Sequence, residues 1–201
     1  MTRGSLVVLE GLDGTGKSTQ LPRLAARLAA RGHTVVVTSE PFDCAPGRRI
    51  RELALRSEPI APEAELALFM EQRRLHVRER IGPALARGEV VLSDRYFLST
   101  VAYQGARGLD PGALLRANEA EFPLPDLALL LELPAVVGLA RVAARGGPAE
   151  PAFERGDFLE RVRAIFGALE RPYLARIDAS GTPDAVEARI AEAVSRRLGL
   201  L

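Results

Sequence analysis

The sequence predicts an α/β fold in which a parallel sheet of about five strands carries helices on both faces. Three observations support it. A short apolar run, Ser5–Glu10, leads into a glycine-rich turn and then into a helical pattern. Apolar, β-rich segments alternate with amphipathic ones along the rest of the chain. No internal repeat or low-complexity stretch interrupts the alternation. Helices then occupy the crossovers between parallel strands, and ligands meet the carboxyl ends of those strands. A chain of 201 residues has room for one such unit, so 1–201 is read as a single domain.

The elements follow in order. Ser5–Glu10 is short and continuously apolar up to its last residue, as a strand buried on both faces should be. Residues 19–31 place Leu21, Leu24, Ala25, Leu28 and Ala29 at helical spacing and stop at Gly32; Pro22 falls in the first turn, where a missing N–H is tolerated. Thr34–Thr38 and Glu89–Ser93 read as the second and third strands, Asp126–Glu132 as a fourth and Ala175–Asp178 as a weaker fifth. Helical patterns cover 62–86, 111–121, 135–145, 155–174 and 183–198. Gly146–Pro151, rich in glycine and proline, breaks one of these regions and reads as a mobile flap or surface loop over about 142–156.

The glycine-rich turn is Gly11-Leu12-Asp13-Gly14-Thr15-Gly16-Lys17-Ser18, which fits the phosphate-loop pattern G-x-x-x-x-G-K-[ST]. Lys17 is the only lysine in a chain that otherwise uses arginine for its basic charge. A compact ammonium at this one place suits a point charge reaching the β/γ-phosphates of a nucleoside triphosphate. Successive backbone N–H groups from Gly11 to Thr19 would cradle the phosphate oxygens, and the Ser18 hydroxyl would ligate Mg²⁺.

Composition narrows the class. A net charge of +1 argues against nucleic acid as the main partner. A lone cysteine, Cys44, allows no internal disulfide, no apolar run is long enough to span a bilayer, and the first strand begins without a leader-like segment. A cytoplasmic protein is the expectation. A guanine-reading Asn-Lys-x-Asp run is impossible because the one lysine is already placed, which excludes the common GTPases. The third strand ends in Ser93-Asp94-Arg95-Tyr96 instead of a carboxylate pair, and the short, plain alternation fits a small kinase with the P-loop kinase fold.

At this point the chain resembles the thymidylate kinase family, of the bacterial type. The match runs through Glu10–Gln20, Thr38-Ser-Glu-Pro41, Glu65–Phe69 with Arg73 and His76, Asp94–Tyr96, Ser99–Gly105, Pro125-Asp126-Leu127 and Gly138–Gly146. The resemblance implies an enzyme that phosphorylates dTMP with ATP and Mg²⁺, usually as a homodimer. It implies that Asp13 accepts a hydrogen bond from the acceptor's 3′-hydroxyl, although an Asx-turn residue would also suit that position. Phe69 and Arg73 lie four apart on one helical face; by resemblance Phe69 stacks on thymine and Arg73 meets its O4 edge. Without the resemblance, Phe69 reads as core. Arg95, projecting at the ligand-binding edge, is read as the ligand of the acceptor phosphate. Asp94 assists Mg²⁺ through water or orients Arg95. Ser99, Thr100, Tyr103 and Gln104 share one predicted helical turn that lines base and sugar in the family, the tyrosine standing where a ribose 2′-hydroxyl would clash. Arg51 matches a family arginine for the acceptor phosphate, with Arg48 and Arg49 alike in charge, and Glu40 ends the second strand near the site.

Phosphoryl transfer to a phosphate needs alignment and charge cancellation rather than a strong base. Lys17, the Ser18 metal site and arginines supply these. Gly14 stands where some family members carry an arginine, so the clamp is expected from the flap. Arg145 or Arg155 is assigned that role, and Arg141 an adenine-side or phosphate contact, although the usual Asp-Arg-x-Glu run after Arg145-Gly146 is missing. Ser39 replaces a common arginine, with Phe42-Asp43 where a diglycine is usual. A kinase for another nucleoside monophosphate or deoxynucleoside is the alternative, and a non-catalytic nucleotide-binding regulator a more distant one. Arg145→Ala is expected to cut kcat by more than about tenfold with ATP binding largely intact; near-normal turnover in steady-state assays would transfer the clamp to Arg155.

Overall fold

The Ser5–Glu10 run forms β1 (Leu6–Glu10), a strand buried along its whole length. The computed structural model describes residues 3–56, 59–134, 137–138, 140–141 and 156–201. Beyond β1 it comprises α1 (Lys17–Ala30), β2 (Val35–Ser39), α2 (Ala45–Arg56), α3 (Pro62–His76), α4 (Gly82–Ala86), β3 (Val90–Asp94), α5 (Phe97–Ala106), α6 (Pro111–Glu121), β4 (Leu127–Glu132), α7 (Gly156–Ala168), β5 (Leu174–Asp178) and α8 (Pro183–Leu198). The strands pair in the order β2-β3-β1-β4-β5, every pair parallel. The expected five-stranded parallel sheet is what forms.

Period-two alternation divides β1 between two cores. Leu6 and Val8 pack with Phe97 and Val101 of α5 and Val162 and Phe166 of α7. Val7 and Leu9 pack with Leu21, Leu24 and Leu28 of α1 and Val186, Ile190 and Val194 of α8. Helices therefore cover both faces, and the central strand has no polar side before Glu10. Chain order reverses across β1, since β3 lies on one side and β4 on the other. The crevice outside their carboxyl ends is the expected place for a ligand.

Local sequence explains several boundaries. The 62–86 pattern forms as one rod with a π-helical turn at Val77–Ile81, where the Gly82 N–H reaches back to the Val77 carbonyl. Pro83, which has no N–H to give, is absorbed by that widened turn. The expected 155–174 helix is shorter, ending at Ala168, because Pro172 denies the chain before β5 a helical continuation. Helix α2 had no counterpart in the sequence reading: Pro46-Gly47 resembles a turn, yet Pro46, Gly47, Ile50, Leu53 and Ala54 form a buried helical stripe. The flap at about 142–156 lies, Gly156 apart, outside the described residues, as does most of the 135–145 pattern.

Gly11 has φ 132°, and a Cβ there would stand 2.4 Å from the Leu131 carbonyl oxygen. The glycine lets the loop turn directly against β4. Gly11→Ala is expected to lower the thermal midpoint by roughly 2–10 °C in calorimetry; an unshifted midpoint would show that the loop has slack.

Candidate active site

The loop between β1 and α1 delivers a helix start free of competing anions. Helix α1 begins at Lys17 with no side-chain cap and no acidic residue in its first turn. Its leading N–H groups are suited to an anionic ligand, and Ser18 and Thr19 are exposed beside them. The buried Lys17 Nζ donates to the Gly11 and Leu12 carbonyls at 3.0 and 2.9 Å. Burial, then Arg95, lower the Lys17 ammonium to about 8, opposed by Asp13, Asp94 and Glu10. Gly14 packs on the backbone of Gly138: a Cβ at 14 would lie 2.2 Å from the Gly138 oxygen. No arginine side chain fits at that position here.

The turn after β3 faces the loop. Arg95 is left-handed at φ 68°, rare for a residue with a Cβ. Its backbone N–H donates to the Leu9 carbonyl at 2.9 Å, and its own carbonyl accepts from Ser93 Oγ at 2.7 Å. This posture carries the guanidinium back over the loop, where it donates to Asp13 Oδ1 at 2.6 Å, Gly11 O at 3.2 Å and Ser99 Oγ at 3.0 Å. It lies 5.1 Å from the centre of the Tyr103 ring. Asp13 also lies 3.8 Å from Lys17 Nζ, so one carboxylate joins the two cations. Asp94 Oδ1 is buried with no hydrogen-bond partner among the described residues.

Beside Arg95 a cavity of about 250 Å³ opens between β2, α2, α3 and α5. Its lining includes every acceptor-side residue expected from the sequence: Asp13, Glu40, Arg51, Phe69, Arg73 and Arg95, then Ser99, Thr100, Tyr103 and Gln104. Behind the lining runs a buried polar network. Arg73, fully buried, donates to both Glu40 oxygens (Nε to Oε1 at 3.1 Å, Nη2 to Oε2 at 2.5 Å), to Thr100 Oγ1 at 2.8 Å and to Asn118 Oδ1 at 2.7 Å. The Tyr96 and Phe122 rings lie 5.4 Å from its guanidinium carbon. Burial would raise the Glu40 carboxyl, but Arg73 and His76 outweigh it and hold Glu40 below the usual range. Glu40 thus spends both oxygens on Arg73 and His76. His76 Nδ1 lies 3.1 Å from Glu40, its Nε2 lies 2.7 Å from Thr38 Oγ1, and its ring stacks on Phe42.

The Gln104 amide is oriented by charge. Its Nε2 donates to Glu65 Oε2 at 3.0 Å, and Arg107 holds the same oxygen at 2.8 Å. A carboxylate only accepts, so the Gln104 Oε1 must face away from it. That oxygen is buried without a partner among the described residues, as is the Tyr96 hydroxyl. Burial pushes the Tyr96 phenol up, which keeps it a donor.

Other expected residues fall around this centre. Arg51 donates to the Pro41 carbonyl and lines the cavity, whereas Arg48 pairs with Asp43 at 3.1 Å. Arg141 donates to the Ala179 carbonyl at 3.3 Å, beside the loop that follows β5. Ser39 stands in register with Asp94. Arg145 and Arg155 lie outside the described residues. Sequence reasoning had assigned no role to Glu10, Glu65, Tyr96 or Asn118. The signal for Glu10 was present: a carboxylate closing an otherwise apolar strand.

Comparison with known proteins agrees with this geometry. The family described as "Thymidylate kinase" matches residues 9–190. A protein named thymidylate kinase from Akkermansia muciniphila is 43% identical over 97% of this chain and 93% of its own length. One of that name from Desulfotalea psychrophila is 41% identical over 97% of this chain and 96% of its own. Another, from Xanthomonas campestris pv. campestris, is 49% identical over 91% of this chain and 79% of its own.

Removing Glu40 alone strands a buried guanidinium. Glu40→Ala is expected to lose about 3–5 kcal/mol in urea unfolding, and adding Arg73→Met to recover part of it. A Glu40→Ala loss below about 1 kcal/mol would mean that water reaches Arg73.

Proposed function

The chain belongs to the thymidylate kinase family, and from that premise we propose that it transfers the γ-phosphoryl group of ATP to dTMP, giving ADP and dTDP. The observation that carries the acceptor assignment is the presence in one cavity of Gln104 Oε1, a buried acceptor without a partner among the described residues, and Arg73, whose guanidinium keeps one N–H beyond those given to Glu40, Thr100 and Asn118. A thymine ring offers the complement: an N3–H for Gln104 and an O4 acceptor for Arg73. Cytosine presents a bare N3 lone pair to the Gln104 oxygen and an amino group to Arg73, so both contacts are lost.

The remaining parts divide the work. Phe69 lines the cavity and would stack on the base. Tyr103 is held between Arg95 and the edge of Phe158, ring centres 6.2 Å apart, and cannot swing aside for a 2′-hydroxyl. In this reading, supported by the cavity these residues share, Asp13 accepts the 3′-hydroxyl, and Arg95 and Arg51 take the acceptor phosphate. Lys17 and the N–H groups of the loop hold the donor triphosphate in line with it. Because the acceptor oxygen is already anionic near neutral pH, alignment and charge neutralisation suffice.

Ser18 and Asp94 fit a magnesium ion: an exposed hydroxyl and a carboxylate oxygen buried without a partner among the described residues, with phosphates and waters completing the shell. When bound, the ion neutralises charge on the β- and γ-phosphates. The reading includes a single domain over 1–201 and a homodimer. It also places the protein in the cytoplasm. Among the described residues no helix is long and apolar enough to cross a membrane.

ADP formation measured with ATP, Mg²⁺ and equal concentrations of dTMP, dUMP, dCMP, AMP and ribosyl-TMP tests the assignment. The Gln104 and Arg73 contacts predict turnover with dTMP, and dCMP weaker by about 10⁴-fold or more. Turnover dominated by dCMP or AMP would keep the phosphate chemistry and overturn the acceptor site.

A further inference from the structure

Glu10 is the last residue of β1 and has no access to water. One carboxylate oxygen accepts the Tyr96 backbone N–H at 2.9 Å, and the other accepts the Ser99 hydroxyl at 2.5 Å. A carboxylate cannot donate to Ser99, so the single Ser99 proton points at Glu10 and its lone pairs are left for Arg95 Nη1. The Tyr96 N–H that Glu10 binds belongs to the residue directly after the left-handed Arg95. The same carboxylate thus grips the turn through its backbone and aims the guanidinium through Ser99. We propose that Glu10 is a positioning residue for the acceptor phosphate, holding Arg95 in its binding posture through Tyr96 and Ser99. This rests on the reading of Arg95 as the ligand of that phosphate.

The surroundings give the arrangement a proton readout. Burial pushes Glu10 up to about 7, against the Ser99 and Tyr96 hydrogen bonds and the Arg95 charge. The charged groups facing it across the loop and the β3 turn are Arg95 and Lys17, with Asp13 and Asp94 beside those cations. Protonation would let Glu10 donate to Ser99 and reverse the link, so the ionised carboxylate is the form that holds Arg95 in its binding posture.

Glu10→Gln is nearly isosteric and still accepts from Tyr96, but its amide can only donate to Ser99 and reverses that link. The expected result is a rise in the KM for dTMP of about tenfold, with the KM for ATP changed by less than about twofold. The KM for dTMP should rise as pH falls through about 7 in the parent, as Glu10 takes up a proton, and should rise less in Glu10→Gln. The titration of dTMP itself is common to both proteins and cancels. Ser99→Ala keeps the buried carboxylate, and should raise the dTMP KM without adding to Glu10→Gln. Equal rises in both KM values, the same pH dependence in parent and Glu10→Gln, or fully additive effects would each overturn the inference. Arg95→Lys separates the two layers: if it leaves the dTMP KM unchanged, the reading of Arg95 fails. If Arg95→Lys raises that KM while Glu10→Gln and Ser99→Ala do not, only the positioning role fails.

Discussion

The acceptor side of the site depends on one guanidinium held out of water. Arg73 is wholly buried, and a buried charge persists only where partners meet nearly all of its hydrogen-bonding capacity. Glu40 comes from the end of β2, Thr100 from α5 and Asn118 from α6, so Arg73 on α3 fixes the relative positions of four elements. The opposite charge of Glu40 leaves the pair neutral. His76 and Thr38 extend the constraint back along β2. Binding geometry and tertiary packing are here the same set of bonds.

The donor side is built on a different constraint, the approach of backbone to backbone. Gly11 and Gly14 let the loop lie against the Leu131 and Gly138 carbonyls, where no side chain fits. Arg95 then leans over from the β3 turn and binds Asp13 inside the loop. The left-handed conformation costs on the order of 1–3 kcal/mol and persists because the Leu9, Ser93 and Glu10 hydrogen bonds surround it. Strain in this turn sets the position of the only arginine that reaches both the phosphate loop and the cavity among the described residues.

What could be read from the sequence follows the range of the interactions. The phosphate loop was legible because its chemistry is local: glycine spacing, one lysine and a serine within eight positions. The sheet's centre was legible because β1, β3 and β4, buried on both faces, read as apolar runs. Helix α2 was hidden by Pro46-Gly47, whose turn-like character is satisfied at a helix start. Resemblance grouped the cavity residues correctly in space, but nothing in it showed that Glu40 is consumed by Arg73 or that Glu65 and Arg107 orient Gln104. Those facts depend on side chains more than 30 residues apart meeting in three dimensions. Glu10 lies between the two cases, since its position in an apolar strand was visible and its partners were not.

The lone lysine fits this division of labour. Arginine serves wherever a planar fork can meet carboxylates, hydroxyls and rings at once, as Arg73 and Arg95 do. At position 17 the space is a loop of backbone carbonyls, and Nζ reaches two of them from within the helix start. A guanidinium would need a wider opening and would push against the glycines that bring the loop onto β4. A compact ammonium also responds to its surroundings: burial and Arg95 lower it, while Asp13, Asp94 and Glu10 support it. A triphosphate adds negative charge and strengthens the protonated form at the moment it is needed. The residue is a lysine because the loop leaves room for a point charge and for nothing broader.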